Sequence, residues 1–190
     1  RKETQGFCRS EELLCPPSSQ GQQGSRTLNI LHNSEYPAST FALLEVPAPT
    51  TANMIPPPLN PGFKTVSLVA DNLFDLLVLK MKDVYPSKKI KIESKGTRFE
   101  LGDFVVKLGT VMMSQNFKGI LVEVEYRPCV VAEACWELLM EFMQGIFGQN
   151  ASTAPPRTLQ ARLKEVYTPL DTMHQYMDHF TVFRKAAGIR

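Results

Sequence analysis

Paired cysteines, histidines, long apolar runs and excess charge are all scarce in this chain, and each scarcity closes off a class of function. The four cysteines, Cys8, Cys15, Cys129 and Cys135, contain no Cys-x-x-Cys pair, and three histidines add too few ligands for a structural zinc site. No apolar stretch approaches the roughly 18 uncharged residues that a membrane span needs. The polar opening reads as no signal peptide. Lysine and arginine number 21 against 19 aspartates and glutamates, a net charge of +2. That is too small to steer the chain onto nucleic acid or a membrane by its long-range field. Gly-x-Ser-x-Gly, a phosphate-cradling glycine loop and His-Glu-x-x-His are also absent from the sequence, so the hydrolases, nucleotide binders and zinc proteases that carry them find no signature here.

What remains is globular in composition. With 43% hydrophobic, 9% aromatic and 21% charged residues in 190, the chain can build one domain with a sizeable core. Cys129 and Cys135 read as buried free thiols, which suits a reducing compartment.

The stretch from Phe117 to Phe147 organises the reading. Ile120, Val122, Val124 and Tyr126 alternate with Glu123 and Glu125, the pattern of a half-buried antiparallel strand with its apolar residues inward. After Arg127-Pro128 the spacing predicts a helix from Val131 to Phe147. Val131, Cys135, Leu138, Leu139, Phe142 and Ile146 form one row, and Trp136, Met140, Met143 and Phe147 a second. A helix this apolar is expected to be buried on most of its circumference, covered by a sheet or by a partner protein.

Residues 1–26 have few large apolar side chains after Leu14 and read as a disordered or truncated lead-in, with Arg1 standing where a complete chain would start with methionine. A single domain is expected over 27–190. Strands are predicted over Leu28–His32, Thr40–Val46 and Thr65–Val69, with a turn at Asn33–Pro37. Pro47 to Gly62 holds six prolines. It reads as a surface insertion in a hairpin loop, the alternative being a polyproline ligand for a partner. Asp71 or Asn72 can cap a helix through about Val84. A meander follows: Lys89–Glu93, a turn at Ser94-Lys95-Gly96, a return over Arg98–Leu101, and Asp103–Met113 with Phe104, Val106, Leu108 and Met112 on its apolar face. A short helix over Thr158–Val166 and an amphipathic helix opening at Pro169 after Thr168 end the chain. The expected class is α+β, a barrel-like antiparallel sheet around a largely buried central helix, with helices at the C-terminus.

Three constellations could carry chemistry. Glu123 and Glu125 form an acid-x-acid pair able to hold a divalent cation, as in tunnel-shaped triphosphate hydrolases, with Lys89, Lys91, Arg98 and Lys107 as phosphate-binding cations. A tunnel needs several such pairs, and the sequence has this one; the commoner reading is the solvated face of a meander. Seven cations between Lys80 and Arg98 could bind RNA, but only Tyr85 offers a ring for stacking. His174 and Asp178 stand at i,i+4 beside His179, two candidate ligands without a third. No catalytic, cofactor-binding or metal residue is therefore assigned.

Blocks spread along the chain resemble the Mediator subunit 20 family, also described as TBP-related-factor-proximal proteins. They are His32–Pro37 with Phe41-Ala42-Leu43, Gly96–Phe99 leading to Asp103–Val111, Val122–Cys129 with Trp136–Leu139 and Glu141-Phe142, and Asp171–Met173 with Gln175–Met177 and the closing Ala187–Arg190. The resemblance implies a barrel-like sheet with helices, no enzymatic activity or cofactor, and a place in the Mediator head module in the nucleus. It also implies direct pairing with Mediator subunit 18 and contact through it with subunit 8. RNA polymerase II would be reached indirectly, without sequence-specific nucleic acid binding or a membrane. Two departures stand out: family members open with a strand and a long helix unmatched here, and Pro47 to Gly62 is longer than typical.

Overall fold

Among the described residues seven strands hydrogen-bond into one sheet, every neighbouring pair antiparallel, in the order β4-β3-β2-β1-β5-β6-β7. They are β1 (Glu3–Cys15), β2 (Arg26–Asn33), β3 (Ser39–Pro47), β4 (Phe63–Asp71), β5 (Ser87–Leu101), β6 (Phe104–Met113) and β7 (Asn116–Tyr126). The helices are α1 (Phe74–Lys80), α2 (Ala132–Phe147), α3 (Arg157–Gln160) and α4 (Pro169–Ala186). The structure, a computed structural model, describes residues 3–15, 26–47, 63–152 and 154–188. Pro47 to Gly62, expected as a loop insertion, therefore lies almost wholly outside the described residues. The class is α+β as expected, but the sheet is open, with β4 and β7 at its edges, rather than barrel-like.

The middle of the sheet comes from the part of the chain that composition writes off. β1 pairs with β2 on one side and β5 on the other, so residues 3–15 are central and not a disordered lead-in. Its inward positions explain the misreading. Cys8, Ser10 and Glu12 are all buried, and two of the three are polar. An apolar alternation cannot appear where the buried partners are ionic. β1 is also an opening strand, which the chain was expected to lack.

β5 corrects a second expectation. Ser94-Lys95-Gly96 is no turn; the strand runs straight through it and pairs with β1 and β6 along its length. Gly96 serves close approach instead of a left-handed turn. It faces Gly109 across the ladder, and a Cβ on Gly96 would lie 1.9 Å from the Leu108 carbonyl oxygen.

The core lies under α4. Met173, Tyr176, Met177 and Phe180 sit on its buried side at helical spacing, against Phe7, Leu31, Phe41, Leu43, Ile92 and Val111 of five different strands. Thr168 and Asp171 close a capping box around the N-terminus, with Pro169 in the first turn as expected. Strand alternation then fixes which side of each strand looks at α4. On β6 it is the side of Val105, Lys107, Val111 and Met113, all buried, and not the side of Leu108, which is exposed. On β7 it is the side of Leu121 and Glu123, while Ile120 is 68% exposed. The apolar alternation of β7 is real, but it marks the outer face.

α2 is the largest correction. Of its sixteen residues only Met140 is buried, so the helix expected at the core rides on the outside. It rests on the outer face through Phe142, stacked at 3.9 Å on Phe104, which in turn meets Tyr126 at 5.0 Å. α1 is shorter than expected, ending at Lys80 with turns to Val84, and α3 spans one turn where a longer helix was read. Cys129 and Cys135 are half-buried free thiols, not fully buried ones.

This division makes a clear energetic prediction. Phe180→Ala, in the fully buried centre, should cost about 3–5 kcal/mol, within the range for a large buried aromatic. Trp136→Ala, half-buried on α2, should cost clearly less. Urea unfolding of both variants checks the order, and a Trp136 loss equal to that of Phe180 would return α2 to the core.

Candidate functional site

α4 is held to the sheet by charged groups as well as by its apolar stripe. At its C-terminal end Arg184 is 3% exposed. Its Nη1 lies 3.2 Å from Glu12 Oε1 and 3.4 Å from Asn29 Oδ1, and its Nη2 donates to Ser10 Oγ at 3.0 Å. Burial pulls the guanidinium pKa below its ordinary value, while Glu12 and Glu45 work against that shift. Lys88 reaches the other Glu12 oxygen at 3.5 Å.

Midway along, Tyr176 donates its hydroxyl to Glu123 Oε2 at 2.6 Å, and Lys107 Nζ lies 2.9 Å from Glu123 Oε1 and 3.3 Å from Glu35. Burial alone would lower the Lys107 pKa, but Glu123 and Glu35 outweigh it and hold the ammonium above its usual value. Burial, then Glu123, push the Tyr176 phenol up, so it stays protonated and donates. At the N-terminal end Asp171 takes the Thr168 amide and hydroxyl at 2.7 Å each, and Arg162 closes on its other oxygen.

This seam decides the fate of the candidate chemistry. Glu123 and Glu125 do not face outward as a solvated pair. Glu123 points under α4, where Lys107 and Tyr176 occupy its oxygens, while Glu125 is exposed. The cations offered as phosphate ligands are spoken for: Lys107 by Glu123, Lys91 by Glu11 at 3.3 Å, and Arg98 by Glu100 and Glu35. The side chain of Lys89 lies outside the described residues. Within the basic stretch that could have met RNA, Lys88, Lys91 and Arg98 are likewise held by carboxylates. His174 donates to or accepts from Ser67 Oγ at 2.9 Å, and Asp178 sits beside Arg157 and Glu45. Among the described residues no three His, Cys, Asp or Glu side chains come together as a metal site. No helix of the described chain is long and apolar enough to cross a membrane.

What the sheet leaves open is apolar surface. α1 sits on the outer face through Val78, packed on Leu13 and Ile30. The register carries that face outward from Ile30 through Ala42 to Leu68, and from Leu28 through Leu44 to Val66. Val66 and Leu68 on edge strand β4, with Leu73, Leu76, Leu77 and Leu79 around α1, are all exposed. Leu73, Leu76, Leu77 and Leu79, inside the helix expected through about Val84, thus face outward. Seen one residue at a time, they could not have been told from core positions in the sequence.

A pinned helix closes one face of the sheet and an apolar corner is bared on the other, a surface suited to contact with another protein. The comparisons with known proteins show the family. Residues 10–181 match the family described as TATA-binding related factor (TRF) of subunit 20 of Mediator complex. The chain is 50% identical over 171 residues to "Mediator of RNA polymerase II transcription subunit 20" of Aedes aegypti, covering 85% of this chain and 71% of that one. It is 50% identical over 179 residues to the Anopheles gambiae protein of that name, covering 88% and 75%. Against the human protein it is 44% identical over 178 residues, covering 90% and 74%. The chain belongs to the Mediator subunit 20 family.

Two measurements test the seam. Arg184→Met leaves Glu12 with Lys88 as its remaining cation and should cost about 3 kcal/mol, the low end of the penalty for breaking a buried pair. Adding Glu12→Leu should recover most of that loss; if the double variant is no better than the single one, the two residues are not energetically coupled.

The second concerns Asp178, whose carboxyl is pushed up to about 6 by burial, with Arg157 pulling it down and Glu45 raising it. The folded chain therefore holds this proton at pH values where the unfolded chain, near pKa 3.9, has lost it. Stability contributed by the protonated form is present below about pH 4 and is lost as pH rises to about 6. Asp178→Asn should flatten this part of the stability profile and raise the melting temperature at pH 7. An unchanged profile would place Asp178 in solvent.

Proposed function

We propose that this chain is a non-enzymatic subunit of the Mediator coactivator complex, acting in the nucleus. There it supports regulated transcription by RNA polymerase II through protein–protein contacts in the head module. Its direct neighbour in this reading is Mediator subunit 18, with subunit 8 and the rest of the head module reached through it. Family membership supports the complex. The observation that carries the mechanism is the bared apolar corner of α1 and β4.

A monomer gains nothing from leaving Leu73, Leu76, Leu77 and Leu79 more than half exposed around one short helix. Beside them β4 has, among the described residues, no strand partner beyond β3, with Val66 and Leu68 on the outward side. An apolar centre flanked by free backbone donors and acceptors suits a partner that adds a strand or lays an apolar helix against the corner. Two of the residues offered for catalysis, Glu123 and Lys107, hold the fold together instead. Glu123 fixes α4, and Lys107 fixes Glu123.

Co-expression with a Mediator subunit 18 partner, followed by size-exclusion chromatography and titration, tests this reading. Leu76→Asp and Leu77→Asp should each weaken the complex by about 30-fold, the roughly 2 kcal/mol of a hot-spot residue. Exposed as they are, they should leave the free chain's stability within about 0.5 kcal/mol. A complex that forms equally well with both variants would move the interface away from α1.

A further inference from the structure

The junction between β7 and α2 brings two cysteine thiols onto one backbone carbonyl. Cys129 Sγ lies 3.2 Å from the Val131 carbonyl oxygen, and Cys135 Sγ lies 3.7 Å from the same oxygen and 3.7 Å from that of Ala132. The Cys129 thiol is also close enough to raise the Cys135 pKa. Both are half-buried and free, whereas Cys8 is wholly buried in β1. The backbone around them is tied down. Tyr167 N donates to Val130 O at 2.7 Å, Glu133 N to Leu163 O at 2.9 Å, and Val131 bridges to Val166. Two sulfurs sharing one acceptor on a clamped turn are held near each other by the fold and not merely by six residues of sequence separation.

We propose that Cys129 and Cys135 form a vicinal dithiol that hydrogen peroxide closes into an intrachain disulfide, stapling the start of α2 to the turn after β7. In the first step the Cys129 thiolate attacks the peroxide O–O bond, giving the sulfenic acid and releasing hydroxide, or water once protonated. In the second the Cys135 sulfur attacks the Cys129 sulfur, loses its proton and expels the sulfenic oxygen as water. Two electrons leave the sulfur pair for the peroxide, and one peroxide becomes two waters. Burial and the neighbouring thiol push Cys135 up to about 11, which casts it as the resolving sulfur. The staple would fix α2, whose Leu138 and Ile146 are exposed, against the lead-in to α4.

The test treats the full chain with dilute hydrogen peroxide, alkylates the remaining thiols and maps the products by non-reducing peptide mass spectrometry. The expected product has lost about two hydrogens within a segment that holds Cys129 and Cys135, is restored by dithiothreitol, and forms at least about tenfold faster in the folded chain than in urea. Phenylarsine oxide, which bridges two sulfurs, should bind the untreated folded chain one to one and block the oxidation. It provides a reading that needs no variant. Cys129→Ser should abolish both. Separate overoxidation of the two cysteines, pairing of either with Cys15, or equal rates in the folded and urea-unfolded chain would overturn the proposal.

Discussion

Arg184 cannot be buried unpaired, and much of the architecture follows from how that demand is met. A guanidinium removed from water needs a carboxylate and further acceptors close by. The chain supplies Glu12, Ser10 and Asn29 from two strands that lie more than 150 residues away in sequence. Satisfying one side chain thus fixes the last turn of α4 over β1 and β2. Glu123, with Lys107 and Tyr176, does the same over β6 and β7. Between these two anchors the apolar stripe of α4 has one place to lie. Burial supplies most of the free energy, and the ionic anchors supply the register.

A single helix across seven strands covers only one face. The other is covered at its corners, by α1 over Leu13 and Ile30 and by α2 over Phe104. Neither cover is deep: α1 buries Val78 alone and α2 Met140 alone. The inner face is therefore the stable body of the molecule, and the outer face is where apolar surface remains available.

The same asymmetry explains which features could be read in the sequence. β2, β3 and β4 were legible because their alternation and flanking turns are local properties, as was the Thr168-Pro169 start of α4. β1 was not, since its inward Ser10 and Glu12 look solvent-facing until Arg184 is in place. Glu123 was misplaced for the same reason, its true environment being set by Tyr176 from another element. Gly96 fits a turn by composition, and only the opposing strand shows that it is needed for close approach. The family blocks, by contrast, were visible in the residues themselves, because they record the fold without having to derive it.

Hydrophobicity and burial part company most sharply in the two long helices. α2 is apolar around most of its circumference yet buries one residue, while α4 carries Asp171, His174, Asp178 and Arg184 and forms the core. A helix is placed by the best set of partners for all its groups, and the polar residues of α4 have such partners only beneath the sheet's inner face. Once α4 takes that place, α2 is left with the outer face, held by the Phe142–Phe104 stack, buried Met140 and the backbone bond from Glu133 to Leu163. Its exposed Leu138 and Ile146 leave apolar surface that a second protein could cover. Ionic pairing inside thus leaves the strongest hydrophobic surface outside, the arrangement expected of a subunit completed by its assembly.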